Sequence, residues 1–507
     1  MIDSHSILRG TAPSTYLHGR SFCIFHVLGI VLLLTTLLGS SVQPARAAGT
    51  FVVDVAVDGE DAHKGDGICA TGGGRCTLRA AIEEANANPD TDSITFNLPG
   101  SGDHWMQLSS ALPWITSPVV LDGRSQPGCD RACIVLDGAQ IKEGTNINGV
   151  LVYDGSTVKG LIVISWTTGR GIFVAGDNNV VQDNYVGLWP GNSGAFPNGE
   201  GLGVFGSNNL IGGALDSQRN VISGNAGVGI TVQNGSAGDS TSSNVIQNNY
   251  VGTDPSGTGA LANRQGISVD SQAEQTLIKN NLVSGNTTWG IHLFATTNAT
   301  IVGNKIGTDA AGTGNLGNGQ EGILIDQGSN GNIVGGKSGG DANVIAYNQW
   351  NGISIWCNDG INNHLQRNSI FSNGGLGIDL ESIHTGVTAN DTGDVDGGPN
   401  QLQNFPVLTA ANSSAGGTAR VIKGKLNSAA STTFTIEFFA SPQGSCDPSH
   451  YGEGKRYIGA KKVTTDAWGN VSFSYKPNAF STGEVITATA TDKAGNTSEF
   501  SKCRTAK

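Results

Sequence analysis

Gly266-Ile-Ser-Val269, Gly290-Ile-His-Leu293, Gly322-Ile-Leu-Ile325 and Gly352-Ile-Ser-Ile355 repeat one phrase, a glycine followed by two apolar residues that flank a variable one. The phrase recurs on the N-terminal side as Gly171-Ile-Phe-Val174, Gly201-Leu-Gly-Val204 and Gly229-Ile-Thr-Val232, and on the C-terminal side as Gly377-Ile-Asp-Leu380. Period-2 alternation over four or five residues signals short strands, and recurrence at intervals of roughly 24 to 37 residues signals one solenoid coil per copy. Asn-rich phrases such as Asn179-Val-Val181, Asn244-Val-Ile246 and Asn343-Val-Ile345 follow several copies. An all-β chain wound as a right-handed parallel β-helix satisfies both periods.

The 507 residues include 75 glycines, and only 14% are charged, which is not the profile of a helical or doubly wound protein. Glycine at each strand entry suits a tight corner where a Cβ would clash. The 37% of hydrophobic residues can fill a long, thin core in which each coil buries its branched side chains against its neighbours.

Arg20, the apolar run 27–38 and Ala45-Arg-Ala47 read as a secretory signal with an A-x-A cleavage site, too short and too small-flanked for a membrane span. Removing residues 1–47 moves the formal charge from -12 to about -14. Such acidity disfavours nucleic acid and anionic membranes as partners. Six cysteines pair plausibly as Cys69 with Cys76, Cys129 with Cys133 and Cys446 with Cys503, with Cys357 left as a packed corner thiol. The expectation is a monomer, secreted or held at the cell surface, without membrane insertion after signal cleavage.

Residues 48–93 read as an N-terminal cap: a strand over 51–57, a cysteine loop, and a helix N-capped by Thr77 with Leu78, Ile82 and Ala85 on one face. Through Cys76, Leu78, Arg79, Ala80, Ile82 and Ala85-Asn86 this segment resembles the CSLREA domain, with threonine for the family's serine and alanine for its glutamate. The resemblance implies an exported bacterial protein with a capped β-helix, and no activity. The helix itself is expected over 94–386, with irregular first coils and strands near Ile94, Val119, Ile134 and Leu161. Expanded corners at 252–258 and 307–313 offer Asp and Thr to their own backbone. Asn184, Asn249, Asn304 and Asn368 suit a stacked amide ladder. Residues 387–415 form a polar connector in which Asp391, Asp394, Asp396 and Asn400 could ligate calcium. Residues 416–507 alternate like an immunoglobulin-like β-sandwich stapled by Cys446 and Cys503.

Residues flanking the buried pair of each phrase point outward, and equivalent positions of successive coils stack about 4.8 Å apart. After the pair stand Asp270, Phe294, Asp326, Trp356 and Glu381, and before the glycine Glu200, Trp289 and Glu321. Aromatic faces stack on pyranose rings and carboxylates bond hydroxyls, so the face suits an extracellular polysaccharide. Asp270 and Asp326 fall two rungs apart, roughly 9.6 Å, near the acid–base separation of inverting glycosidases. His292 falls between them. Asp270, His292, Asp326 and Glu321 are therefore the candidate catalytic residues, with Trp289, Phe294, Trp356, Glu381 and Glu200 as substrate contacts. A hydrolase would use one protonated carboxyl and one base. A lyase would neutralise a uronate with calcium and draw a base from Lys279, Lys305 or Tyr250.

The repeat phrases resemble those of the pectate-lyase-like right-handed β-helix class. The polygalacturonase signatures, an N-T-D phrase, a paired Asp-Asp and G-H-G, are absent as such, and no arginine falls in a recognisable pectate lyase motif. The expected function is a secreted polysaccharide-active protein, a glycoside hydrolase or polysaccharide lyase. The alternative is a noncatalytic adhesin or glycan-binding structural protein of the cell surface or matrix.

Overall fold

The computed structural model describes residues 47–507 apart from 142–143, 145–146, 192–193, 236–239, 357–359, 381–385, 414–419 and 478. The signal segment up to residue 46, Cys357 and Glu381 lie outside the described residues. Three parallel sheets of eleven, ten and nine strands pair each strand with its equivalent one coil on, and they form the walls of a right-handed parallel β-helix. The eleven-stranded sheet runs from Thr50–Val53 to His364–Gln366, the ten-stranded from His104–Met106 to Ser369–Phe371, and the nine-stranded from Val150–Val152 to Ile378–Asp379. All the glycine phrases fall on the nine-stranded sheet. The Asn-rich phrases divide: Asn179 and Asn244 precede strands of the first sheet and Asn343 one of the second.

Register explains the core. Ile172, Leu202, Ile230, Ile267, Ile291, Ile323 and Ile353 stand in one column, and Val174, Val204, Val232, Val269, Leu293, Ile325 and Ile355 in the next, all fully buried. Each phrase glycine faces the same interior. A Cβ on Gly266 would stand 2.3 Å from the Gly290 carbonyl oxygen and 2.5 Å from Val283 Cγ1, so close approach of successive coils is what requires glycine there.

Corner backbone is satisfied by stacked amides. In one ladder Asn184, Asn220, Asn249, Asn281, Asn304, Asn343 and Asn368 each donate Nδ2 to the next Oδ1 at 2.9–3.1 Å. A second runs Asn198, Asn225, Asn263, Asn286, Asn318, Asn348 and Asn373. At the expanded corners Asp254 accepts from Thr258 N and Asp309 from Thr313 N and Gly314 N, the self-bonded loops expected.

At the N-terminal end the strand Thr50–Val53 belongs to the first sheet, and the helix Leu78–Asn86 packs beside it with Thr77 Oγ1 capping Ala80 N. Buried Arg79 clamps Asp58 through two bonds of 2.8 and 2.9 Å and donates to the Ser110 and Ala111 carbonyls. The three expected disulfides form. Among the described residues no helix is long and apolar enough to cross a membrane.

The C-terminal part is two antiparallel sheets, of three and four strands, sharing one apolar core that includes Ile422, Phe438 and Phe473. Its first strand, Val407–Ser413, begins inside the stretch read from sequence as connector. This part ends the helix by supplying the acceptors that another coil would have supplied. The Glu453 carboxylate accepts from Asn373 N and Nδ2, both at 2.9 Å, and so terminates the second ladder. Glu437 accepts from Arg367 N and Glu499 from Leu380 N and Thr388 N, while Phe439 and Phe500 join the helix core. Burial raises all three carboxyls, Glu499 to about 8.

Candidate active site

Each rung of the nine-stranded sheet presents three positions away from the core: before the glycine, in the middle of the phrase, and after its second apolar residue. Pairing carries the middle column through Thr231, Ser268, His292, Leu324, Ser354 and Asp379. Phe294 pairs with Asp326, and Asp270 follows the paired Val269 one rung earlier. The backbone bonds from Gly266 N to Trp289 O and from Gly290 N to Glu321 O hold the first column in step.

The sequence-derived residues therefore converge. His292 Nε2 lies 3.0 Å from Asp326 Oδ1. On its own rung the imidazole is flanked by Trp289, with centroids 4.7 Å apart, and Phe294, at 5.7 Å. One rung before, Ser268 Oγ donates to Asp270 Oδ1 at 2.7 Å. Burial raises Asp270, opposed by the Ser268 hydroxyl and the His292 charge. Burial likewise pushes Glu321 up to about 7, with hydrogen bonding, including that of the Trp289 indole, holding it back and the Asp379 carboxyl adding to the rise. Two carboxyls of unusual proton affinity thus share a face with a carboxylate-oriented histidine.

Several expectations are corrected. The sequence places the acids on a solvated face, yet His292 and Asp326 have side chains only 10% and 13% exposed, and Glu321 is fully buried. The rings beside them and the tight spacing of three side chains per rung account for the shielding. Trp356 is half-buried and Phe294 exposed. Glu200 stands two rungs before Asp270 and three before His292, in an ion pair of 2.8 Å with Arg170, whose guanidinium covers Phe173 and Phe205. Lys279 lies on the first sheet and Tyr250 and Lys305 on the second, so none can serve as a base at this cluster.

Asp379 and Ser268 were missed. Asp379 is buried and takes a 2.7 Å bond from Asn351 Nδ2, which also reaches Ser354 Oγ at 3.0 Å. The signal was the variable middle residue of each phrase, read for His292 alone.

In the connector, carboxylate oxygens of Asp391, Asp394 and Asp396 lie within 4.8 Å of one another. Asn400 does not join them: it is buried, accepts from Asn363 N and donates to the Asn363 and Thr497 carbonyls. It extends a further corner stack instead, in which Asn332 Nδ2 donates to Asn363 Oδ1 at 2.8 Å.

No protein-family model matches the chain, and no characterised protein matches it in sequence. Among solved structures it is similar to the periplasmic alginate epimerase AlgG, at 14% identity and TM-score 0.39 over 59% of this chain and 66% of that one, so it spans just under two thirds of that enzyme. It is similar to the A-module of the Azotobacter vinelandii mannuronan C-5 epimerase AlgE6, at 16% identity and TM-score 0.37 over 68% and 88% of the two chains. The tailspike gp49 of Acinetobacter baumannii bacteriophage Fri1, a capsular polysaccharide depolymerase, matches at 10% identity and TM-score 0.27 over 84% and 79%. A mostly β chain of three long parallel sheets, closed by antiparallel sheets, is the architecture the described residues establish.

Proposed function

We propose that the chain is a polysaccharide-active protein whose glycan lies along the nine-stranded sheet, across the rungs of Asp270, His292 and Asp326. The observation that carries this is the His292 to Asp326 bond of 3.0 Å between aromatic rings, with the raised Asp270 carboxyl one rung away. Asp326 orients the imidazole and fixes its tautomer. His292 then moves a proton to or from the sugar, while Asp270, disposed to keep its proton, supplies the acid and the fully buried Glu321 stands behind them without reaching the glycan. One acid and one base serve hydrolysis or elimination alike, and reducing ends against unsaturated products separate a glycoside hydrolase from a polysaccharide lyase. Product assays on a glycan panel test the reading: His292→Ala and Asp326→Asn lose turnover by about a hundredfold or more, and full activity in both removes it.

The shielding of His292 and Asp326 favours a second reading, a noncatalytic glycan-binding surface. Binding without turnover by the wild-type chain selects it. Three disulfides support an oxidising, extracellular or periplasmic setting, and the CSLREA resemblance agrees with export.

Asp391, Asp394 and Asp396 fit a calcium ion. Asp396 Oδ1 is buried without a hydrogen-bond partner, and hard cations take several carboxylate oxygens on a loop. There the ion would brace the connector, not enter the chemistry.

A further inference from the structure

The nine-stranded sheet is covered at its C-terminal end. Beside its last strand, Ile378–Asp379, a Cβ on Gly377 would stand 2.9 Å from the Phe500 ring, and Glu499 accepts from Leu380 N at 3.2 Å. The turn Asp447-Pro448-Ser449 of the C-terminal part faces the same rung across a cavity of about 430 Å³, within the roughly 300–1,000 Å³ of small-molecule sites. The Cys446–Cys503 disulfide pins the start of that turn, and Ser449 N donates to Asp447 Oδ1 at 2.7 Å within it.

Two glycines make the cavity. Asn348 and Asn373 are successive members of one ladder, so Gly374 and Gly375 occupy on the last rung the places that Gln349 and Trp350 hold on the rung before. A Cβ on Gly374 would stand 2.1 Å from the Gln349 carbonyl oxygen, and one on Gly375 2.2 Å from Asn351 Oδ1. The space those side chains would have filled stays open, and Trp350, 38% exposed, lines it.

The lining also selects by charge. Asn351, Asp379, Asp447 and Ser449 supply carboxylate, amide and hydroxyl groups, and among the described residues no lysine or arginine lines the cavity. Sugar hydroxyls can donate to such a wall, whereas a uronate would meet two carboxylates with no cation between them. The cavity is continuous with the proposed site: Asp379 stands in the middle column, three rungs past His292, or roughly 14 Å at the strand spacing.

We propose that this cavity is a terminal subsite that receives an uncharged pyranose at the end of the glycan, with Trp350 stacked on the ring and Asp379 and Asp447 accepting from its hydroxyls. The polymer then enters the nine-stranded sheet end first and lies with a bond a few sugars from that end over His292. The inference rests on the proposed activity and adds to it the mode of attack and the charge of the end residue.

Calorimetric titration of the Asp326→Asn chain with cellohexaose, mannohexaose, xylohexaose and hexagalacturonate reads the cavity without turnover. At least one neutral hexasaccharide is expected to bind more tightly than hexagalacturonate. Trp350→Ala in that background should weaken its binding about three- to tenfold, the range of one aromatic stacking contact, and Trp350→Phe should restore most of it. No binding of any neutral hexasaccharide, tighter binding of hexagalacturonate, or unchanged affinity in Trp350→Ala overturns the proposal. Early products of the wild-type chain on β-glucan, mannan and xylan give the mode: one short oligosaccharide is expected, and a ladder of all sizes overturns the terminal subsite while the activity stands. Binding that depends on Trp350 without any product keeps the subsite and removes the catalytic reading of His292 instead.

Discussion

Replacing Asn281 by alanine removes one link from the middle of an amide ladder. The side chain accepts from Asn249 N at 2.8 Å and Asn249 Nδ2 at 3.1 Å, and donates to Ile246 O at 2.9 Å and Asn304 Oδ1 at 3.0 Å. Asn304 Oδ1 keeps the Asn281 amide, and Asn249 Nδ2 keeps the Ile211 carbonyl, so two groups lose their hydrogen bond from the Asn281 side chain: Asn249 N–H and Ile246 C=O. Both lie in a corner where Asn281 is almost wholly buried. Ile246 C=O keeps its place in the β ladder with the strand Leu277–Lys279, which leaves Asn249 N–H as the orphaned buried group, so Asn281→Ala should lose about 1–3 kcal/mol. Exposed Asn97 provides the control, and Asn97→Ala should fall within about 0.5 kcal/mol of wild type. Equilibrium urea unfolding of both variants measures the difference. A loss at Asn281 no larger than at Asn97 would refute the claim that the ladders carry the corner backbone.

Three further outcomes follow from the same structure. Asp58 is held at about 2 against its burial by bonds from Arg79 and Ser109, so its contribution is present above the ordinary aspartate value near 3.9 and is lost as pH falls through about 2; Asp58→Ala should cost about 3–5 kcal/mol at neutral pH, read by thermal unfolding across that window. Glu499 is raised to about 8 by burial, so the folded chain binds its proton more tightly than the unfolded one, and the contribution present below about 4.5 is lost as pH rises to about 8; Glu499→Gln should flatten unfolding free energy over that interval. Calcium should raise the melting temperature of the wild-type chain relative to chelator, and Asp391→Asn with Asp396→Asn should abolish that shift.

Much of the fold was legible because a solenoid converts local spacing into tertiary position. The glycine phrase alone placed the nine-stranded sheet, and Asn184, Asn249, Asn304 and Asn368 marked one ladder before its register was known. The disulfides were legible as three plausible pairs of an exported chain with Cys357 left over, and all three form. Contacts between distant segments left no such trace. Glu453 meets Asn373 across 80 residues and Glu499 meets Leu380 across 119, and nothing near either glutamate announces a capping role. Asn400 sits among aspartates in sequence and turns to a ladder in space. At the site, stacking Asp270, His292 and Asp326 on successive rungs needed only the repeat. Their shielding depends on how wide Trp289 and Phe294 spread across the rung, which alternation does not encode.

The most direct test of the account is a crystal structure of the Asp326→Asn chain with a bound oligosaccharide from the glycan panel. The account places a sugar over the His292 rung, with a glycosidic oxygen or C5 proton within hydrogen-bond reach of the imidazole and rings against Trp289 or Phe294. An oligosaccharide bound elsewhere, with the rungs from Ser268 to Ser354 left bare, would contradict it.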